Sequence, residues 1–317
     1  MKSLLIAALW ALFVGAATAQ PADTAVGLQA AFDRWSQAHQ IPTPGLVVMH
    51  KGAVVSASRN ADTPVEMASL SKAITAVCAA SLIDEGLWNA QTTSAEVLGF
   101  GHDGITVADL IGHHSGLMPD STQGLTAMWV TSTVPRKRIV TETALNRRRD
   151  GAGTYQYNNE NYAVLGEMIE VALGVSYEQA CQQRALDPAG VQGARASDVM
   201  GGMLPWGGWK MSAREYARFH YHWFGPQGAY AKGAPAALRV DVGGGAQYGL
   251  GMFERRVAVH RNFWHFGLWC LPFRLDAGAY AVIWKGEWSA VAVYDKCIDW
   301  DAMRALDTAL VEVVYDR

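Results

Sequence analysis

Between residue 24 and about 39, large apolar side chains recur at Leu28, Phe32 and Trp35, the i, i+4, i+7 spacing of one helix face. The next stretch, PGLVVMHKGAVVSASR, changes period: two β-rich runs meet at Lys51-Gly52, which predicts a β-hairpin. From 61 to about 200 the pattern is mainly helical with loops. Helix starts are expected near Ser69, Thr106 and Asn161, with Gly86 and Gly174 marking ends. GGWKMSAREYARF at 207–219 reads as a further helix. Four strand-like runs then follow, QYGLGMFERR, VAVHRNFWHFGLWC, GAYAVIWKG and WSAVAVYD, and the chain closes on a helix with Met303, Leu306, Leu310 and Val313 in one stripe.

Two strands come early and four or more come late. An isolated hairpin is marginal in water, so both ends of the chain should complete one sheet, covered by the N- and C-terminal helices. The expected fold is α/β of the α+β type: an antiparallel sheet flanked by the terminal helices, with an inserted mainly helical lobe. The sheet lobe would take in about 20–60 and 200–317, the helical lobe about 61–199. A crevice between the two is the natural place for a site.

Composition narrows the class. Half of the 317 residues are hydrophobic, 17% are charged and the net charge is -3, which argues against disorder and leaves no basic footprint for nucleic acid. Residues 1–19 carry Lys2, an apolar run and the small-x-small site Ala17-Thr18-Ala19 before Gln20, the pattern of a secretory signal peptide. The expectation is export across the inner membrane to the periplasm, with no membrane span in the mature form. Of the four cysteines, Cys270 and Cys297 flank two strands and are the preferred disulfide pair, whereas Cys78 and Cys181 read as helix-packing residues. No C-x-x-C occurs, and His220 and His222 (FHYHW) point to different faces of a helix, so no metal is expected. No phosphate loop or dinucleotide fingerprint implies a cofactor. GHHSGL, with Ser115, lacks the order of a nucleophile elbow and reads as a turn after a helix.

The candidate chemistry lies in EMASLSKAITAVCAASLIDEGLW at 66–88. Ser69 and Lys72 are three apart, so on a helix they share a face and the amine reaches the hydroxyl. A serine is a weak nucleophile without an adjacent base, and a lysine serves as one only when its pKa is depressed toward neutrality. Ser71 falls out of register. By itself the tetrad is a weak pattern, but it is followed in order by YQYNNENYAVLGEMIE at 155–170, GGWKMSAREYARF, YGLG at 248–251 and WHFG at 264–267.

Taken together, these motifs resemble the serine β-lactamase and penicillin-binding-protein superfamily, nearest its class C β-lactamase, DD-peptidase and esterase branch, over essentially the whole of 20–317. The resemblance implies that Ser69-Leu70-Ser71-Lys72 supplies the nucleophile Ser69 and its base Lys72. It implies that Tyr157, in Tyr157-Asn158-Asn159, exchanges protons with Ser69 and the leaving group, its phenol lowered by the lysine charge. Asn159 would bind a substrate amide or orient Lys72. His265-Phe266-Gly267 would be the strand whose edge pairs with substrate, the Leu268 N–H joining that of Ser69 in an oxyanion hole. Phe266 stands where the family usually has a hydroxyl, and Trp206, Trp209, Trp264 and Trp269 surround it, Trp209 as a candidate crevice residue. That shifts the expected activity toward an esterase or amidase on a small-molecule or peptide substrate. The alternatives are a β-lactamase or D,D-carboxypeptidase, and a catalytically silent binding protein.

Overall fold

The computed structural model describes residues 21–101, 104–124, 129, 134–147, 149–271 and 275–315. The segment read as an export signal lies outside these residues. Helix α1 (Pro21–Ala38) leads into the hairpin β1 (Gly45–His50) and β2 (Ala53–Ala57), joined at Lys51-Gly52 as expected. Then come β3 (Val65–Glu66), a 3-10 turn (Ala68–Leu70), α2 (Ser71–Asp84), α3 (Ser94–Leu98), α4 (Val107–Gly112), α5 (Ser121–Gly124), α6 (Val134–Leu145), α7 (Asn159–Leu173) and α8 (Tyr177–Cys181). Strands β4 (Arg195–Ala196) and β5 (Trp209–Met211) precede α9 (Ala213–Phe224). Six strands follow: β6 (Arg239–Gly243), β7 (Ala246–Gly249), β8 (Met252–Val257), β9 (His260–Leu271), β10 (Leu275–Trp284) and β11 (Trp288–Tyr294), and α10 (Trp300–Tyr315) closes the chain.

Both ends of the chain build one eight-stranded antiparallel sheet, ordered β2-β1-β11-β10-β9-β8-β7-β6. β10 and β11 are apolar almost throughout because both faces are covered. On one face lie α1 and α10, with Leu28, Phe32 and Trp35 against Leu306 and Leu310, and the Trp35 indole N–H donates to the Ala302 carbonyl at 2.9 Å. On the other lie α2 and α9. A small sheet, β3-β5-β4, was not expected from the sequence. QYGLGMFERR is not one strand but the hairpin β7–β8, turning at Leu250 (φ 51°) and Gly251 (φ 74°). A Cβ at Gly251 would collide with the backbone of Lys72 and Ala73, so this turn can press onto the start of α2 only as glycine.

Helix α2 is apolar on every side and correspondingly buried all round. From Glu66 to Ala80 every residue is buried except Ser69. In β9 the pleat divides the side chains: Phe263, His265 and Gly267 turn toward α2, while Trp264, Phe266 and Leu268 turn toward α1 and α10. The pairing of Cys270 with Cys297 is found, with Cα atoms 5.1 Å apart. Cys78 and Cys181 correct the sequence reading: they too form a disulfide, Cα to Cα 5.2 Å, because α8 crosses α2 where these small side chains meet.

Candidate active site

Ser69 occupies the 3-10 turn that feeds α2, directly after Ala68, whose φ of 46° places an alanine in the left-handed region. Such a backbone costs on the order of 1–2 kcal/mol and persists only where its surroundings dictate it. Here β9 dictates it. A Cβ on Gly267 would lie 2.6 Å from the Met67 carbonyl oxygen and 2.9 Å from the Ser69 nitrogen, so strand and turn touch backbone to backbone. β8 pairs with β9 only up to Trp264, and among the described residues no strand lies beside the edge beyond it, which runs past Ser69.

The Lys72 ammonium lies 3.0 Å from the Ser69 Oγ, 2.7 Å from the Asn159 Oδ1 and 3.0 Å from the Trp206 carbonyl oxygen. The side chain is fully buried, and desolvation lowers its pKa from 10.5 to about 7, against the carboxylate of Asp120, which raises it. A neutral amine would spend its two hydrogens on Asn159 and Trp206 and aim its lone pair at the serine hydroxyl. Asn159 thus touches Lys72 through its side-chain oxygen, and its backbone N–H donates to the Asp120 Oδ2 at 2.9 Å. The Tyr157 ring sits 4.9 Å from the Lys72 nitrogen. Its phenol is not lowered as the sequence reading expected. Burial pushes it up, and contact with the Ser69 hydroxyl offsets only part of this. The residue as a whole is 39% exposed.

His265 faces the same space but is 2% exposed and neutral, its pKa pulled down to about 3 by burial and then by the Lys72 charge. Its hydrogen bonds fix its tautomer. The Nδ1 lies 2.5 Å from the Phe266 carbonyl, which only accepts, so the proton is on Nδ1. The Nε2 then accepts from the Tyr248 hydroxyl at 3.5 Å, and Tyr248 in turn receives the Nε2–H of His113 at 3.3 Å. His113 Nδ1 accepts from the Asn158 backbone N–H at 3.2 Å, and burial keeps this ring neutral as well. His113 also packs against the Tyr157 ring, centroids 4.5 Å apart. Sequence reasoning treated GHHSGL as a turn. Ser115 is that, bound to Asn161 and to the Leu117 N–H, but His113 braces the site.

A cavity of about 300 Å³ opens over Ser69, walled on one side by Tyr155, Tyr157 and Phe253. Across from these stand Phe266, Leu268, Trp300 and Met303. Phe266 stacks on Tyr280 at 4.3 Å and meets Trp300 edge-on at 5.7 Å. Trp209 is not part of it, a correction: the residue is fully buried, its indole N–H bound to Tyr177 and its backbone N–H to the Ser71 hydroxyl. The other three tryptophans expected around Phe266 are likewise elsewhere. Trp206 gives only its carbonyl to Lys72, Trp264 lies under Arg255, and Trp269 binds the Gly207 carbonyl. Tyr155, Phe253, Tyr248, Trp300 and Asp120 escaped the sequence reading. A larger groove, about 820 Å³ and bordered by Tyr221 and Lys285, is lined by no serine, threonine or cysteine among the described residues. Among the described residues no cluster fits a metal, and no helix is long and apolar enough to cross a membrane.

A model of the beta-lactamase family matches residues 28–294. The chain is 30% identical over 135 residues, 41% of its length, to penicillin-binding protein 4* of Bacillus subtilis (strain 168), and spans 30% of that protein. A class C beta lactamase from Rhodobacter sphaeroides superposes with a TM-score of 0.70 at 17% identity, over 91% of this chain and 99% of that one. A D-stereospecific amidohydrolase from Streptomyces sp. superposes with a TM-score of 0.65 at 19% identity, over 91% and 97%.

Proposed function

The chain belongs to the beta-lactamase family, and from that premise we propose that it is an exported serine hydrolase cleaving an ester or amide through an acyl-enzyme on Ser69. One observation carries the reading: a buried Lys72 amine, with a pKa near 7, held 3.0 Å from a serine hydroxyl that is the only open residue in its segment. Neutral Lys72 takes the Ser69 proton as Oγ attacks the carbonyl carbon. The backbone N–H groups of Ser69 and Leu268 receive the oxyanion, an effect commonly worth about 2.7–4 kcal/mol per donor. Tyr157, protonated because its phenol is held above its ordinary range, passes a proton to the leaving group and draws its replacement from Lys72. Water then attacks the acyl-enzyme by the reverse proton path and frees Ser69. The walls of Phe266 and Trp300 favour ester and amide turnover over that of β-lactams or D,D-peptides. Two disulfides, with no free cysteine among the described residues, support export to the periplasm.

The test is covalent labelling. A fluorophosphonate probe should add one phosphonyl group to Ser69, read by peptide mass spectrometry, and Ser69→Ala should abolish both labelling and p-nitrophenyl ester cleavage. A folded protein that resists the probe would end the proposal. Export is tested separately by the N-terminus of the protein in a periplasmic extract, expected at Gln20.

A further inference from the structure

We propose that this site, resting on the serine-hydrolase reading above, is built for acyl donors that carry no carboxylate beside the scissile bond, and that the Phe266–Trp300 wall receives a neutral apolar group instead. The observation is one of missing counter-charge. Among the described residues, none that lines the cavity over Ser69 is a lysine, an arginine or a carboxylate. His265 is the one lining side chain that protonation would make a cation, yet both of its ring nitrogens are already committed, one to the Phe266 carbonyl and one to the Tyr248 hydroxyl. Its burial keeps the ring uncharged.

Lys72 is no substitute. As an ammonium its three hydrogens match three acceptors inside the protein, on Ser69, Asn159 and Trp206. The fixed charge that acts on both Lys72 and Tyr157 is the carboxylate of Asp120, and it repels an anion. A carboxylate entering here would lose water and find neither a cation nor a free side-chain donor on His265. An aromatic or branched aliphatic group would find Phe266, already stacked on Tyr280, and the Trp300 ring that meets it edge-on. Trp300 is 56% exposed, so the wall is open to solvent at its rim and accepts a group without requiring the fold to move.

The experiment compares two thioesters that differ in one charge: phenylacetyl-thioglycolate and its carboxamide, each releasing a thiol read with a chromogenic disulfide at pH 7.5. The carboxamide should show a kcat/KM at least about tenfold higher after correction for the hydroxide rates of the two esters. Trp300→Lys, a change at an exposed position, should narrow that ratio at least threefold at low salt, and added salt should restore it. Ser69-dependent turnover of the carboxylate at an equal or greater rate overturns the inference and leaves the serine-hydrolase reading standing. So does Ser69 that takes the phosphonate probe while both thioesters are refused. Failure of the probe itself brings down the parent reading and this one with it.

Discussion

Asn159→Asp is the sharpest test of Lys72 as the base. The substitution replaces a neutral carbonyl oxygen, 2.7 Å from the amine, with a carboxylate oxygen in the same place. Burial, offset in part by Asp120, holds the Lys72 pKa near 7, and an opposite charge within contact distance would lift it to roughly 8–10. At pH 7 about half of the wild-type amine is neutral, against roughly 9% to 0.1% in the variant, so acylation there should slow about five- to 500-fold. The rate should recover as pH rises through the new midpoint. Inactivation by a fluorophosphonate isolates acylation from deacylation, and its second-order rate constant should be followed from pH 5 to 10.5. Wild type should rise with a midpoint near 7 and then level. A variant profile with the same midpoint, merely scaled down, would refute the assignment, because the titrating group would then not be the one touching Asn159.

The same burial acts on stability. The unfolded amine, at about 10.5, keeps a proton that the folded one sheds above about 7. Wild-type stability should therefore rise with pH between those values relative to Lys72→Met, by up to about 1.4 kcal/mol per pH unit, as read by urea unfolding at pH 7, 8 and 9. Below pH 7 both states are protonated and the whole cost of the buried charge, roughly 5 kcal/mol at most, is present. Gly267→Ala should push β9 off the Ser69 turn and lower kcat/KM about 100-fold or more, with an unchanged circular dichroism spectrum. Tyr248→Phe should leave His113 and His265 each short of a partner, costing about 1–3 kcal/mol in urea unfolding while the acylation midpoint stays near 7.

The architecture was legible wherever periodicity and burial coincide. Leu28, Phe32 and Trp35 marked α1, and the late apolar runs marked a sheet covered on both faces. Ser69, Lys72, Tyr157 and Asn159 were legible because their spacing is local and their order along the chain is distinctive, and all four come together. What the sequence hid depends on which face a residue turns and what lies across the gap. Trp209 sits near the site in sequence order, but a three-residue strand and the Tyr177 hydroxyl turn it inward. Trp300 reaches the cavity from the far end of the chain, and Asp120 reaches the Asn159 N–H from a loop whose pattern points nowhere in particular. Cys78 and Cys181 are 103 residues apart on unrelated helices, and only the crossing of those helices joins them. The phenol of Tyr157 went the other way because desolvation outweighs its contact with the Ser69 hydroxyl, a balance that depends on depth and not on neighbours in sequence.

The pleat of β9 separates two duties by parity. His265 and Gly267 lie on the side of Ser69, pinned by Tyr248 and by the turn at Ser69, and tolerate little. The side chains of Phe266 and Leu268 face the opposite layer and shape the wall of the cavity. On the proposed function, a lineage could explore new substrates by drift at alternate positions of a single strand, with the intervening residues held constant throughout.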